Sequence, residues 1–174
     1  ASLPMGDPMR GTVNTGGMIN GVFMSTWMTI TQFLSTQNVT TELFNPKYMS
    51  QLIQTTQEHV DQVDSYYLPL IDGALNGAAE TTFDGPFWRT RSPIENIDKI
   101  RAPTMILGTV DDIFQRDEPL LYEQLKKNVD THLIIYPGSH FGNFITQHVG
   151  NDEVPPVDFL LLQWFDKYLY GMDT

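Results

Sequence analysis

Thr104-Met105-Ile106-Leu107-Gly108-Thr109-Val110-Asp111-Asp112 and His132-Leu133-Ile134-Ile135-Tyr136-Pro137-Gly138-Ser139-His140 are the two segments on which the fold turns. Residues 104–108 are a short apolar run after Pro103, the pattern of a strand buried on both faces. Residues 132–136 repeat it and are expected to stop at Pro137-Gly138. Between them Glu118-Pro119 opens a helix that carries Leu121 and Leu125 and ends on Lys126-Lys127, a basic end that suits the helix dipole. Downstream, Val157, Leu160, Leu161, Trp164, Phe165 and Tyr168 recur at helical spacing, with Gly171 as the stop. The order β-α-β-α predicts an α/β fold, a parallel sheet with flanking helices.

In open α/β sheets the chemistry sits beyond the carboxyl ends of the strands. Two polar clusters stand there. Gly108-Thr109-Val110-Asp111-Asp112 follows the first strand, and Pro137-Gly138-Ser139-His140-Phe141-Gly142 follows the second. If the strands are neighbours, about 4.8 Å apart, an acid and a histidine leave the same edge of the sheet. A carboxylate that orients an imidazole and stabilises its protonated form is what acyl transfer requires. Asp111 and His140 are the expected catalytic pair, with Asp112 as the rival acid. Asp after a strand is also an ordinary turn residue, and His140 after Pro-Gly-Ser is also an ordinary loop histidine. A serine triad in α/β-hydrolases runs Ser, then acid, then His. None of Ser2, Ser25, Ser35, Ser50, Ser65, Ser92 or Ser139 sits in a Gly-x-Ser-x-Gly elbow. The nucleophile is therefore expected outside this chain.

Further strings extend the pattern: Asp84-Gly85-Pro86-Phe87-Trp88, Arg91-Ser92-Pro93, Ile97-Asp98-Lys99-Ile100-Arg101-Ala102-Pro103-Thr104, Gly108-Thr109-Val110-Asp111, Pro137-Gly138-Ser139-His140, and Trp164-Phe165-Asp166-Lys167-Tyr168-Leu169-Tyr170-Gly171. In order and spacing, residues 84–174 resemble the cocaine-esterase / X-Pro dipeptidyl-peptidase group of α/β-hydrolases. There the acid follows a Gly-Trp-Tyr/Phe-Asp string, the histidine a Pro-x-x-His string, and the last helix ends Trp-Phe-Asp-x-x-Leu-Lys-Gly. Thr109 and Val110 replace the group's aromatics, which changes the wall beside the acid. The resemblance implies the C-terminal half of a catalytic domain, a partial α/β-hydrolase fold with an inserted helical cap. The serine elbow, the oxyanion donor and a later jelly-roll domain would lie beyond these residues. It divides the chain into 1–24, a core segment after the absent elbow; 25–86, the helical cap; and 87–174, the core with acid and histidine.

The upstream stretches are less explicit. Residues 1–24 are rich in Gly, Met and Pro and read as a loop. Ala1-Ser2-Leu3-Pro4-Met5 reads as the end of a strand. Asn45-Pro46 is a good helix start, and Tyr48, Met49, Leu52, Ile53, Val60 and Val63 then make one buried stripe. Phe87 and Trp88 are candidates for the substrate-pocket wall. Met5, Met9, Met18, Met24 and Met28 are candidates for an acyl pocket or for ordinary packing.

A formal charge of −11 on 174 residues argues against a nucleic-acid partner and an anionic membrane. With no cysteine, disulfides and thiolate metal sites are excluded. His59, His132 and His148 read as structural or solvent-facing, and no metal-ligand spacing occurs, so neither metal nor cofactor is expected. Asn38-Val39-Thr40 is a sequon, but it fixes no compartment; cytoplasmic and secreted bacterial proteins both fit. The expected function is a serine hydrolase acting on an ester or X-Pro peptide by an acyl-enzyme route. The expected partner is the missing N-terminal part of the same enzyme or a second copy of the chain. The alternative is a non-catalytic α/β-hydrolase-like binding or assembly module. A flavodoxin-like domain holding a cation on Asp111 and Asp112 leaves His140 unexplained.

Overall fold

The structure, a computed structural model, describes residues 1–36, 46–140 and 156–173. The chain forms two units, Ala1–Thr12 with Arg89–Thr174, and Val13–Trp88.

In the first unit, β1 (Thr104–Asp111) and β2 (Thr131–Ser139) pair in parallel, from Thr104 against Thr131 to Thr109 against Tyr136. On the other edge of β1, Ser2 bridges in parallel to Leu107; the Leu3 N–H donates to the Leu107 carbonyl at 2.8 Å and the Leu107 N–H to that of Ala1 at 2.9 Å. The opening residues thus add a short third parallel segment, as their pattern predicts. Side chains alternate across a sheet, and β1 feeds two cores. Met105 and Leu107 join Tyr136, Val157, Leu161 and Trp164 on one side. Ile106 joins Leu121 and Leu125 on the other, with Ile94, Ile97, Ile100 and Leu133 packed around them.

The two helices that cover these faces are α6 (Asp117–Leu125) and α7 (Val157–Tyr170). On α7, Val157, Leu161 and Trp164 turn inward as expected, whereas Phe165 is half exposed. Gly171 ends the helix at φ 66°, and the Gly171 and Met172 N–H groups bond the Lys167 and Asp166 carbonyls. The close seating of α6 depends on glycines. A Cβ on Gly6 would lie 2.9 Å from the Leu121 side chain, one on Gly11 2.7 Å from the Asp117 carboxylate, and one on Gly108 1.8 Å from the Glu118 carboxylate. Asp117 Oδ2 accepts the N–H groups of Gly6 and Asp7 at 2.9 and 2.8 Å, locking the N-terminal segment to the start of α6.

The second unit is helical. It contains α1 (Gly21–Thr36), α2 (Met49–Gln62), α3 (Leu68–Leu75) and the single turn α4 (Ala79–Thr82). The unit boundary falls inside α5 (Pro86–Arg91). Val13, Met24, Val63, Ala74 and Trp88 are its buried apolar residues. Two expectations are corrected. Residues 1–24 are not all loop: a wide helical turn spans Pro8–Val13, and α1 begins at Gly21 because the Asn20 side chain caps it, accepting the Phe23 N–H at 3.1 Å. The α2 stripe is buried only at Val63; Ile53 is 64% exposed, because little of the described chain packs along this helix. Asn45, Asn38-Val39-Thr40 and His148 lie outside the described residues.

Candidate active site

Both strands run further than their apolar cores suggest. β1 continues to Asp111, and β2 passes through Pro137-Gly138 to Ser139. Pro137 is tolerated because the ladder is irregular there. Thr109 faces Tyr136 and Asp111 faces Ser139, so one residue of β1 spans two of β2. The bulge uses Gly138 at φ 150°, a backbone state that side chains resist.

This extra residue decides which acid meets the histidine. Asp111 is still in the ladder beside Ser139, and both are exposed. The next residue on each chain is Asp112 and His140. Their side chains meet, with His140 Nδ1 2.8 Å from Asp112 Oδ2. The expected Asp111–His140 pair is therefore replaced by Asp112–His140. An alternating strand sends neighbouring aspartates to opposite sides, and the bulge brings His140 round to the side of Asp112.

Asp112 is held on both oxygens. Its side chain is fully buried, and Oδ1 accepts the Phe114 N–H at 2.6 Å, a turn in which the carboxylate bonds the backbone two residues on. The turn reading of the doublet and its pairing with histidine thus coexist in one residue. His140 is partly open, with 21% of its side chain exposed. Phe114 packs edge-on against the imidazole, ring centres 5.1 Å apart at 90°. A carboxylate accepts hydrogen bonds and cannot donate them, so the shared proton belongs to Nδ1 and the ring's lone pair to Nε2. That is the tautomer of a general base.

Phe114 escaped the sequence reading. Its signal was an apolar pair, Ile113-Phe114, interrupting a polar loop directly after the acids. Glu118 was seen only as a helix start. It is fully buried, and neither carboxylate oxygen makes a hydrogen bond of normal geometry. Burial pushes its carboxyl up to about 7; the negative charge of Asp112 adds to this, the Thr109 backbone N–H offsets part, and Asp117 contributes a little more.

The expected pocket residues lie in the helical unit. Trp88 is buried there, its indole N–H donating to the Thr81 carbonyl at 3.0 Å, with Phe87 edge-on against it at 5.0 Å. Both contacts are those of a packing residue. Of the methionines, Met9 and Met24 are buried and Met18 is 77% exposed. Met24 and Met28 line a cavity of about 240 Å³ with Leu68, Ile71 and Leu75. His132 is exposed, its ring edge-on to Trp164, and His59 is exposed too. Among the described residues no three His, Asp or Glu side chains group as metal ligands.

A search of curated proteins finds no match to the chain. The family model described as X-Pro dipeptidyl-peptidase (S15 family) does match, over residues 1–142. The match takes in the helical stretch that the sequence motifs fitted loosely, and it reaches past Asp112 and His140. With the larger part of its length covered, the chain belongs to the X-Pro dipeptidyl-peptidase (S15) family of hydrolases.

Proposed function

We propose that this chain supplies the acid and the base of a serine hydrolase that cleaves an acyl bond, an X-Pro peptide or a related ester, with Asp112 as acid and His140 as base. The observation that carries the reading is the Nδ1–Oδ2 contact of 2.8 Å between a partly open imidazole and a fully buried carboxylate. The imidazole accepts the serine proton at Nε2 as the hydroxyl attacks the substrate carbonyl. It then passes that proton to the leaving group. Asp112 fixes the tautomer and stabilises the imidazolium, and Phe114 limits rotation of the ring. The attacking serine comes from outside these residues, since no serine of the chain has the Gly-x-Ser-x-Gly setting of an elbow. Within the same reading, residues 25–86 are the helical cap.

The test is hydrolysis of a chromogenic X-Pro amide by the enzyme that carries this chain. Asp112→Asn is expected to lower kcat by about 10⁴, the effect of the wrong imidazole tautomer. Asp111→Asn is expected to change kcat by less than about threefold, an exposed-residue effect. The larger loss at Asp111 would sink the assignment. A fluorophosphonate adduct on a serine within residues 1–174 would overturn the placement of the nucleophile.

A further inference from the structure

Glu118 has no place in the triad chemistry, yet it is as buried as any side chain in the protein. Its carboxyl lies against the Cα of Gly108, where a methyl group would come within 1.8 Å of one oxygen. Gly108 is on the strand that delivers Asp112, and Glu118 is on the first turn of the helix that leaves the Asp112 turn. The chain thus folds a carboxyl in behind the acid of the pair and keeps a glycine to make room for it.

We propose that Glu118 is a positioning residue for the Asp112–His140 pair: a fully buried carboxyl seated against Gly108 that supports the acid turn from behind. The inference rests on the reading of Asp112 and His140 as acid and base. An ionised carboxylate needs good hydrogen bonds or a counter-ion when buried, and Glu118 has only the Thr109 backbone N–H, outside normal hydrogen-bond geometry. The charges around it are mostly of its own sign. Asp112 faces it from the end of β1 and Asp117 from its own helix. Asp117 is already engaged by Arg116 and by the Gly6 and Asp7 N–H groups. Asp7 is paired with Arg10. His140, just beyond the end of β2, is the partner of Asp112. The neutral acid is the form this site accommodates, and burial with the Asp112 charge holds it protonated up to about pH 7.

The experiment uses two spectroscopic readouts on the full chain and needs no turnover. The first is the infrared carbonyl band of a protonated carboxylic acid. Exposed carboxyls lose it near their ordinary value of about 4, so a band that persists above about pH 6 and disappears with Glu118→Gln belongs to Glu118. The second is the downfield proton resonance of His140 Nδ1–H. In the wild type it is expected to move in two steps with pH, one shared with the infrared band; in Glu118→Gln only the other step remains. If Glu118→Gln does not fold, coincidence of the band and one resonance step in the wild type carries the same information. Absence of a persisting band, or a resonance without the shared step, overturns the proposal. A role in filling space alone would leave the resonance unmoved by the protonation of Glu118. Loss of the catalytic reading would instead appear as unimpaired hydrolysis in Asp112→Asn.

Discussion

Replacing Glu118 by Gln keeps the shape of the side chain and removes its titration. The folded carboxyl is raised from 4.5 to about 7. Between those values the folded chain holds a proton that the unfolded chain has released, so stability falls as pH rises through this window. Below about 4.5 both states are protonated and no cost appears; above about 7 both are ionised and the full cost is present. A shift of this size corresponds to about 3 kcal/mol in total, at about 1.4 kcal/mol per unit. About 2 kcal/mol of it falls between about pH 5.5 and about pH 8, a range clear of most other carboxyls. Urea unfolding of wild type and Glu118→Gln at both pH values gives the measurement, because the titration of every shared group cancels in the difference. The wild type is expected to lose about 2 kcal/mol relative to the variant on going to the higher pH. A stability difference that is the same at both pH values would refute the reasoning, since a group without a raised value contributes no slope there.

Asp117→Ala removes the acceptor of two buried N–H groups, those of Gly6 and Asp7, and is expected to cost about 3 kcal/mol in urea unfolding. Gly171→Ala asks a side chain to adopt φ 66° at the end of α7 and should cost about 1 kcal/mol, read as a lower thermal midpoint. Trp88→Phe leaves the Thr81 carbonyl without its indole donor, and a loss of about 2 kcal/mol is expected in urea unfolding; a much smaller loss would refute a structural role for that bond.

The α/β half of the chain was legible because its signals are local. Strand runs bounded by Pro and Gly, a helix opened by Glu118-Pro119, and a last helix closed by Gly171 each follow from residues within a few positions. The partial cover of α7 was less so. Phe165 fits the apolar period yet stands exposed, because period fixes a face and not its width. His140 meets a carboxylate at the strand edge, as the pattern predicts, but that carboxylate is Asp112, one residue beyond Asp111. Acid choice depended on a bulge, and a bulge is a property of two strands in register, invisible to either strand read alone. Asn20 as the cap of α1 was hidden by the surrounding glycines, which read as loop whether or not a helix follows. What its position in a family-like string could not show for Trp88 is its local setting, a buried ring whose indole N–H donates to the Thr81 carbonyl.

The irregular pairing at Pro137-Gly138 separates two properties that strands ordinarily tie together. Up to Tyr136, the ladder is committed to the core, where a slip of one residue would turn every apolar side chain outward. Beyond the bulge the chain counts afresh, so the end of β2 can be advanced without disturbing the packing below it. Adjacent aspartates then cease to be spares for one another: they are two settings of one adjustment, and a single residue deleted beyond the bulge in β2 would bring the histidine level with Asp111 instead of Asp112. Length variation at this point would retune the chemistry of the edge while leaving the stability of the body nearly untouched.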